Sequence, residues 1–229
     1  MTPVFLRFDD FKTRSRRKIL LSALLFYAVT RLASMVALLF LVRLYFLYGM
    51  DAMAQLRFTG SIEGIAYAAM EHGVWPMALW LLLGAPLLEE TAFRLGLSFR
   101  RSHAALGAGA FTLFLVSRFA GWWWAIIPAA AVAAAVRLLT TADFWRSRRE
   151  RLLKPAVLLS TVLFGAAHLF AMEGLSLAVL PVALIICFML FCAGATFAYL
   201  RLNMGFGWAL AAHIINNLPS VAAVLMLLY

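Results

Sequence analysis

The chain is a succession of apolar runs longer than the core of a soluble domain requires. The first extends from about Ile19 to Tyr48, and others lie at about 75–97, 104–117, 121–140, 156–172, 176–200 and 204–228. A helix needs about 20 apolar residues to cross a bilayer, so most of these runs are long enough to span. The 229 residues are 65% hydrophobic and only 13% charged. Soluble domains are about 45–50% apolar and about 25% charged, so a soluble globular enzyme is excluded. The expected architecture is an all-α polytopic transmembrane helical bundle of about seven spans, with the N-terminus cytoplasmic. Residues 1–74 would hold an N-terminal cytoplasmic segment, the first span and an interfacial helix. Residues 75–229 would form the functional core, with an extra helical hairpin at about 104–140.

The charge pattern supports this map. A net charge of +10 would suggest nucleic acid in a soluble protein, but here no basic domain lies outside the bilayer, and no nucleic-acid partner is expected. The basic start (Lys12 to Lys18) precedes an apolar run twice as long as a signal peptide's, so the first run reads as an uncleaved span. Within it, Arg31 is expected to face the bundle interior and Arg43 to snorkel to the interface. Ile62, Ile65, Ala66, Ala69 and Met70 have helical spacing, as in a short amphipathic helix on the membrane. The stretch at 104–117 is short and could pair with 121–140 as a hairpin that does not fully cross. With seven spans, segments 1–18, 98–103, 141–155 and 201–203 share one side and hold 14 of the 20 basic residues, as the positive-inside rule demands. The expected location is the cell membrane, with the lipid bilayer as surroundings. Cys187 and Cys192 read as buried thiols, Trp122–Trp124 as an interfacial belt, and the run Arg146 to Lys154 as a topology signal that could also meet anionic lipid.

Ionisable groups in mid-bilayer cost about 2.5–3.5 kcal/mol each on insertion scales and need a partner or a purpose. The second span carries Glu89, Glu90 and Arg94; the fifth ends in Phe164-Gly-Ala-Ala-His168; the seventh contains His213 and Asn217. At 1.5 Å per helical residue, Glu90, His168 and His213 lie about 15, 21 and 18 Å from the cytoplasmic boundary, close to one level. Glu90 and Arg94 are four apart and can pair along one face, which turns Glu89 about 100° away and leaves it free. His213 and Asn217 are again four apart. A buried carboxylate can take a proton from water, a histidine can help orient that water, and imidazole and carboxamide donors can stabilise an oxyanion. No serine or cysteine stands at suggestive spacing from a histidine, which favours activated water over a covalent nucleophile. Two histidines and a glutamate are also a donor set for Zn²⁺, although His-Glu-x-x-His is absent.

Glu89-Glu90-x-x-x-Arg94, Phe164-x-x-x-His168 and His213-x-x-x-Asn217 on successive spans resemble the CAAX protease and bacteriocin-processing (Abi) family of intramembrane glutamic endopeptidases. The Ras-converting CAAX endopeptidase is one branch. The resemblance covers roughly residues 75–228. It implies that Glu89 activates water with help from His168, that Glu90 and Arg94 support it, and that His213 and Asn217 form the oxyanion hole. Phe164 would pack beside the site. It further implies a metal-independent hydrolase without a cofactor, acting on a membrane-associated protein or peptide, near the C-terminus in the prenylated-protein branch. One departure is the 78-residue separation of Glu90 from His168, longer than such motifs lead one to expect, with the excess at about 104–140. The alternatives are a non-catalytic membrane scaffold, immunity or maturation factor, and a proton or ion relay, which a midplane carboxylate could also serve. Against a relay, no inverted repeat is visible.

Overall fold

The computed structural model describes residues 15–47, 57–58 and 61–229, and nearly all of these are helical. The elements are α1 (Arg16–Leu47), β1 (Arg57–Phe58), α2 (Ile62–His72), α3 (Val74–Leu79), α4 (Ala85–Arg94), α5 (Arg101–Ala120), α6 (Trp122–Leu139), α7 (Ala142–Ala167), β2 (Met172–Glu173), α8 (Leu180–Met204) and α9 (Phe206–Leu228). A π-helical segment, Trp80–Gly84, joins α3 to α4, and 3₁₀ turns follow α4 (Leu95–Ser98) and α7 (His168–Ala171). Among the described residues, six helices are long and apolar enough to cross a membrane: α1, α5, α6, α7 with its 3₁₀ turn, α8 and α9. Val74–Ser98 adds a rod of consecutive helical turns, interrupted by the π segment. The chain is a multi-pass, all-α membrane protein.

Several boundaries differ from expectation. The stretch at 104–117 belongs to the 20-residue α5, about 30 Å long at 1.5 Å per residue, so by length this hairpin arm can cross. Its polar ends, Arg101 to His103 and Ser117-Arg118, are good enough helix residues to extend the apolar middle. The basic segment 141–155 is the first half of α7 rather than a loop. Thr141 starts it in extended conformation, its hydroxyl accepting from the Phe144 N–H at 3.1 Å, and Asp143 sits in the first turn. Helix α2 is capped likewise by Ser61, which accepts from the Gly64 N–H. Its small face, Ile65, Ala66 and Ala69, packs against Val224 of α9, while Met70 points outward.

The hairpin helices α5 and α6 make the most extensive pairing; α1 and α7 pack on α8, and α9 packs on α8, α2 and the π segment. Lipid is as apolar as these side chains, so close approach and polar contacts hold such a bundle together. Its core is Phe93, Phe114, Phe164, Ala193, Phe197 and Ala209. The two ends differ. At one, Ile19 and Ala23 meet Tyr199 and Leu200, Phe99 meets Trp145, and Arg101 donates to the Arg137 carbonyl, which gathers the basic segments. At the other, β1 pairs antiparallel with β2 (Arg57 opposite Glu173), Tyr45 donates to the Ala178 carbonyl, and Trp80 meets Trp122 edge-on.

Helix joints at Gly121 and Gly205 allow reversal across a single residue. Gly205 has φ +103° and ψ 176°, a region essentially restricted to glycine. Gly205→Ala is therefore expected to cost about 1–3 kcal/mol and lower the thermal unfolding midpoint in detergent. Gly207→Ala, whose added methyl meets nothing within 4 Å, should leave the midpoint unchanged or slightly raised. Equal midpoints for the two variants would contradict the joint geometry.

Candidate active site

Four of the six sequence-predicted site residues form one buried cluster. Glu90 and Arg94, one turn apart on α4, are both fully buried, with Arg94 Nη1 3.2 Å from Glu90 Oε1. His213 of α9 lies between the two carboxylates: its Nδ1 is 2.9 Å from Glu90 Oε1 and its Nε2 is 3.7 Å from Glu89 Oε2. Glu90 as carboxylate can only accept, so Nδ1 carries the hydrogen, and Nε2 is the atom presented to Glu89.

The Arg94 guanidinium lies over the Phe164 ring at 3.9 Å, with the rings of Phe93 and Phe197 at 5.6 and 5.8 Å. None of its side-chain nitrogens makes a well-aligned hydrogen bond, so charge attraction and the aromatic faces hold it. Space for it depends on Gly194 of α8, where a Cβ would stand 2.7 Å from Nη2. Phe197 stacks on the His213 ring at 4.7 Å with an 18° interplanar angle. The carbonyls at the end of α4, orphaned as the helix tightens into a 3₁₀ turn, are met from neighbouring helices: Phe93 by Ser160 of α7 (2.5 Å) and Arg94 by Arg201 of α8 (3.3 Å).

Glu89 differs from its neighbour. It is 9% exposed and makes no close ion pair with an arginine or lysine among the described residues. It lines a cavity of about 240 Å³ together with Trp80, Ala85 and Leu88 on its own rod and Phe114, Ser117, Arg118 and Trp122 on the hairpin. A single water needs only about 10–15 Å³ of such space.

His168 stands apart. Its Nδ1 lies 2.8 Å from the Phe164 carbonyl, an acceptor only, so Nδ1 is the donor and a neutral His168 carries its lone pair on Nε2. Its ring meets the edge of Phe164 at 5.1 Å, and Phe164 in turn meets His213 at 5.8 Å. No ion pair joins His168 to either glutamate among the described residues. Phe164 is thus the shared wall between the two histidines.

Asn217 is engaged in the backbone. Pro86 has no N–H, and the Ala85 N–H is drawn to the Trp80 carbonyl in the π segment, so the Leu81 carbonyl loses its helical donors. Asn217 Nδ2 fills that gap at 2.9 Å. Its Oδ1 accepts from Asn216 Nδ2 (2.9 Å), and Asn216 Oδ1 accepts from Tyr27 Oη (2.5 Å) and Arg31 Nη2 (2.6 Å) of α1. Two donors on Asn216 Oδ1 fix that amide's orientation, and this in turn fixes Asn217 as a donor with one N–H to spare. Asn216 and Tyr27 were not among the expected site residues; the available signal was Arg31, a cation in a span that had to find a partner.

Two further points bear on chemistry. Ser98 Oγ lies 2.8 Å from His103 Nδ1, a serine–histidine pair that the spacing had not suggested because the break before α5 brings the two together. Ser98 also accepts from the Arg100 N–H, which makes it a cap at the basic end, eight residues beyond Glu90. Among the described residues no three of His, Cys, Asp and Glu are arranged to hold a metal ion. Family models, curated proteins and solved structures give no match to this chain.

Arg94→Gln should cost about 3–5 kcal/mol, since it strands the Glu90 charge in the core. The double variant Glu90→Gln/Arg94→Met should recover most of that loss, because a glutamine still accepts from His213. Denaturant unfolding in mixed micelles measures both, and a double variant no more stable than Arg94→Gln would disprove the coupling. Asn217→Leu, which strands the Leu81 carbonyl, should cost about 1–3 kcal/mol in the same assay.

Proposed function

We propose that this chain is an intramembrane glutamic endopeptidase that hydrolyses a peptide bond of a membrane-associated protein or peptide with water activated by Glu89. The observation that carries the reading is the unequal treatment of two adjacent carboxylates. Glu90 is locked by Arg94 and His213, whereas Glu89 faces His213 Nε2 and a cavity with ample room for water.

The chemistry follows from that asymmetry. Two carboxylates against one guanidinium leave one surplus negative charge in a low-dielectric site when His213 is neutral. A proton passed from water to Glu89 moves the surplus onto the tetrahedral oxyanion as the water oxygen attacks the scissile carbonyl. The tetrahedral oxyanion would be met by the spare Asn217 N–H, and by His213 if Nε2 gains a proton. Collapse returns the proton from Glu89 to the departing amine nitrogen as the C–N bond breaks. His168, with its lone pair on Nε2, would accept a hydrogen bond from the water or its hydrate. The three-motif resemblance to the CAAX protease and bacteriocin-processing family supports the same roles, with no cofactor required.

The second reading, a non-catalytic membrane scaffold, immunity or maturation factor, draws support from the fact that Glu90, Arg94 and Asn217 are all engaged inside the bundle. Comparing membrane-protein termini in cells carrying wild-type protein or Glu89→Ala, at matched expression, separates the two. Peptide ends present with wild type and lost with both Glu89→Ala and His168→Ala are expected, with both variants still folded. Identical termini would refute the endopeptidase reading, and full complementation by Glu89→Ala would then favour the scaffold.

A further inference from the structure

The cavity beside Glu89 has a second charged group, and nothing in the hydrolytic chemistry uses it. Arg118, at the C-terminal end of α5, lines the same cavity and rests near the Phe114 ring (5.3 Å). Among the described residues it enters no ion pair, although Glu89 lies on the opposite wall. Ser117 beside it spends its hydroxyl hydrogen on the Phe114 carbonyl at 3.1 Å, so its oxygen can only accept. Trp80, Leu88, Phe114 and Trp122 supply apolar wall, with Trp80 and Trp122 in edge-on contact (5.3 Å) at the end of the bundle away from the basic segments.

These groups define a ligand. A guanidinium offers a fork of donors to an anionic oxygen pair, and Ser117 offers a lone pair to an N–H. A lipid phosphate would satisfy the first and meet an oxygen lone pair at the second; a peptide segment carrying a carboxylate satisfies both. We propose that this cavity is a substrate subsite in which Arg118 pairs with a peptide carboxylate and Ser117 receives a peptide N–H, so that the α5–α6 hairpin sets selectivity. The proposal rests on the endopeptidase reading for the word substrate, but the binding it describes does not require cleavage.

The test uses the purified full chain in neutral detergent. The intrinsic fluorescence of tryptophan reports occupancy, since Trp80 and Trp122 line the cavity. Acetyl-leucyl-glutamate, its fully amidated counterpart and inorganic phosphate are titrated in parallel. The acid is expected to bind saturably and at least about tenfold more tightly than the amide, as for a charge-assisted pair. Arg118→Gln should abolish that preference, while Arg137→Gln, on an arginine that is exposed like Arg118 but lies outside the cavity, should keep it. Equal binding of acid and amide, no saturable binding of either, or a stronger response to phosphate than to the acid would each overturn the proposal. Arg118-dependent acid binding together with unchanged cellular termini in Glu89→Ala would retain the site and reject the endopeptidase.

Discussion

A fully buried Glu90–Arg94 pair is the constraint around which the rest of the bundle is arranged. Desolvating two charges is expensive, and within a bilayer no nearby water can relieve a misfit. The pair therefore imposes requirements on every neighbouring helix. From α8 it requires Gly194, because any Cβ would collide with the guanidinium, and Phe197; from α7 it requires the Phe164 ring as a cation-binding face; from α9 it requires His213 as a second donor to Glu90. With those supplied, the face of α4 that bears Glu90 cannot turn. The adjacent residue is consequently held in one direction, so Glu89 is presented to the cavity by the rigidity of its neighbour together with its contact to His213.

A second device sets where along the rod Glu89 falls. Pro86 removes a donor, the helix widens into a π segment, and the freed Leu81 carbonyl is bound by Asn217. π-Helical interruptions occur often at functional sites because they re-aim the residues that follow. The relay that holds Asn217 continues through Asn216 to Tyr27 and Arg31, so the first span braces the cluster although it carries none of the carboxylates or histidines. Arg31 faces inward, as a mid-span cation must, and its role is to hold an amide rather than to meet a carboxylate.

What could be read from the chain beforehand follows the range of each interaction. Glu90 with Arg94 is one helical turn and depends on spacing alone, and the free direction of Glu89 comes from the same arithmetic. The common depth of Glu90 and His213 was legible from rise per residue, but their hydrogen bond was not, since it needs the relative rotation of α4 and α9. Asn217 looked like a free donor because the carbonyl that occupies it becomes available only through a proline five residues after Leu81. The placing of the Phe164 ring between His168 and His213 is a matter of packing that no spacing encodes. At 104–117 the apolar run is shorter than the helix it belongs to, because the polar residues at its ends, Arg101 to His103 and Ser117-Arg118, are helical as well.

The hairpin gives this architecture a division of labour. One wall of the cavity belongs to the rod whose geometry is dictated by the buried ion pair and the proline gap; the other belongs to α5 and α6, which pack chiefly on each other. A change at Ser117 or Arg118 alters what the cavity holds without touching Arg94, His213 or Asn217, whereas Phe114 also packs on Phe93 in the core. Conversely, the cluster can tolerate little change, because each member satisfies another in a medium that offers no substitute partner.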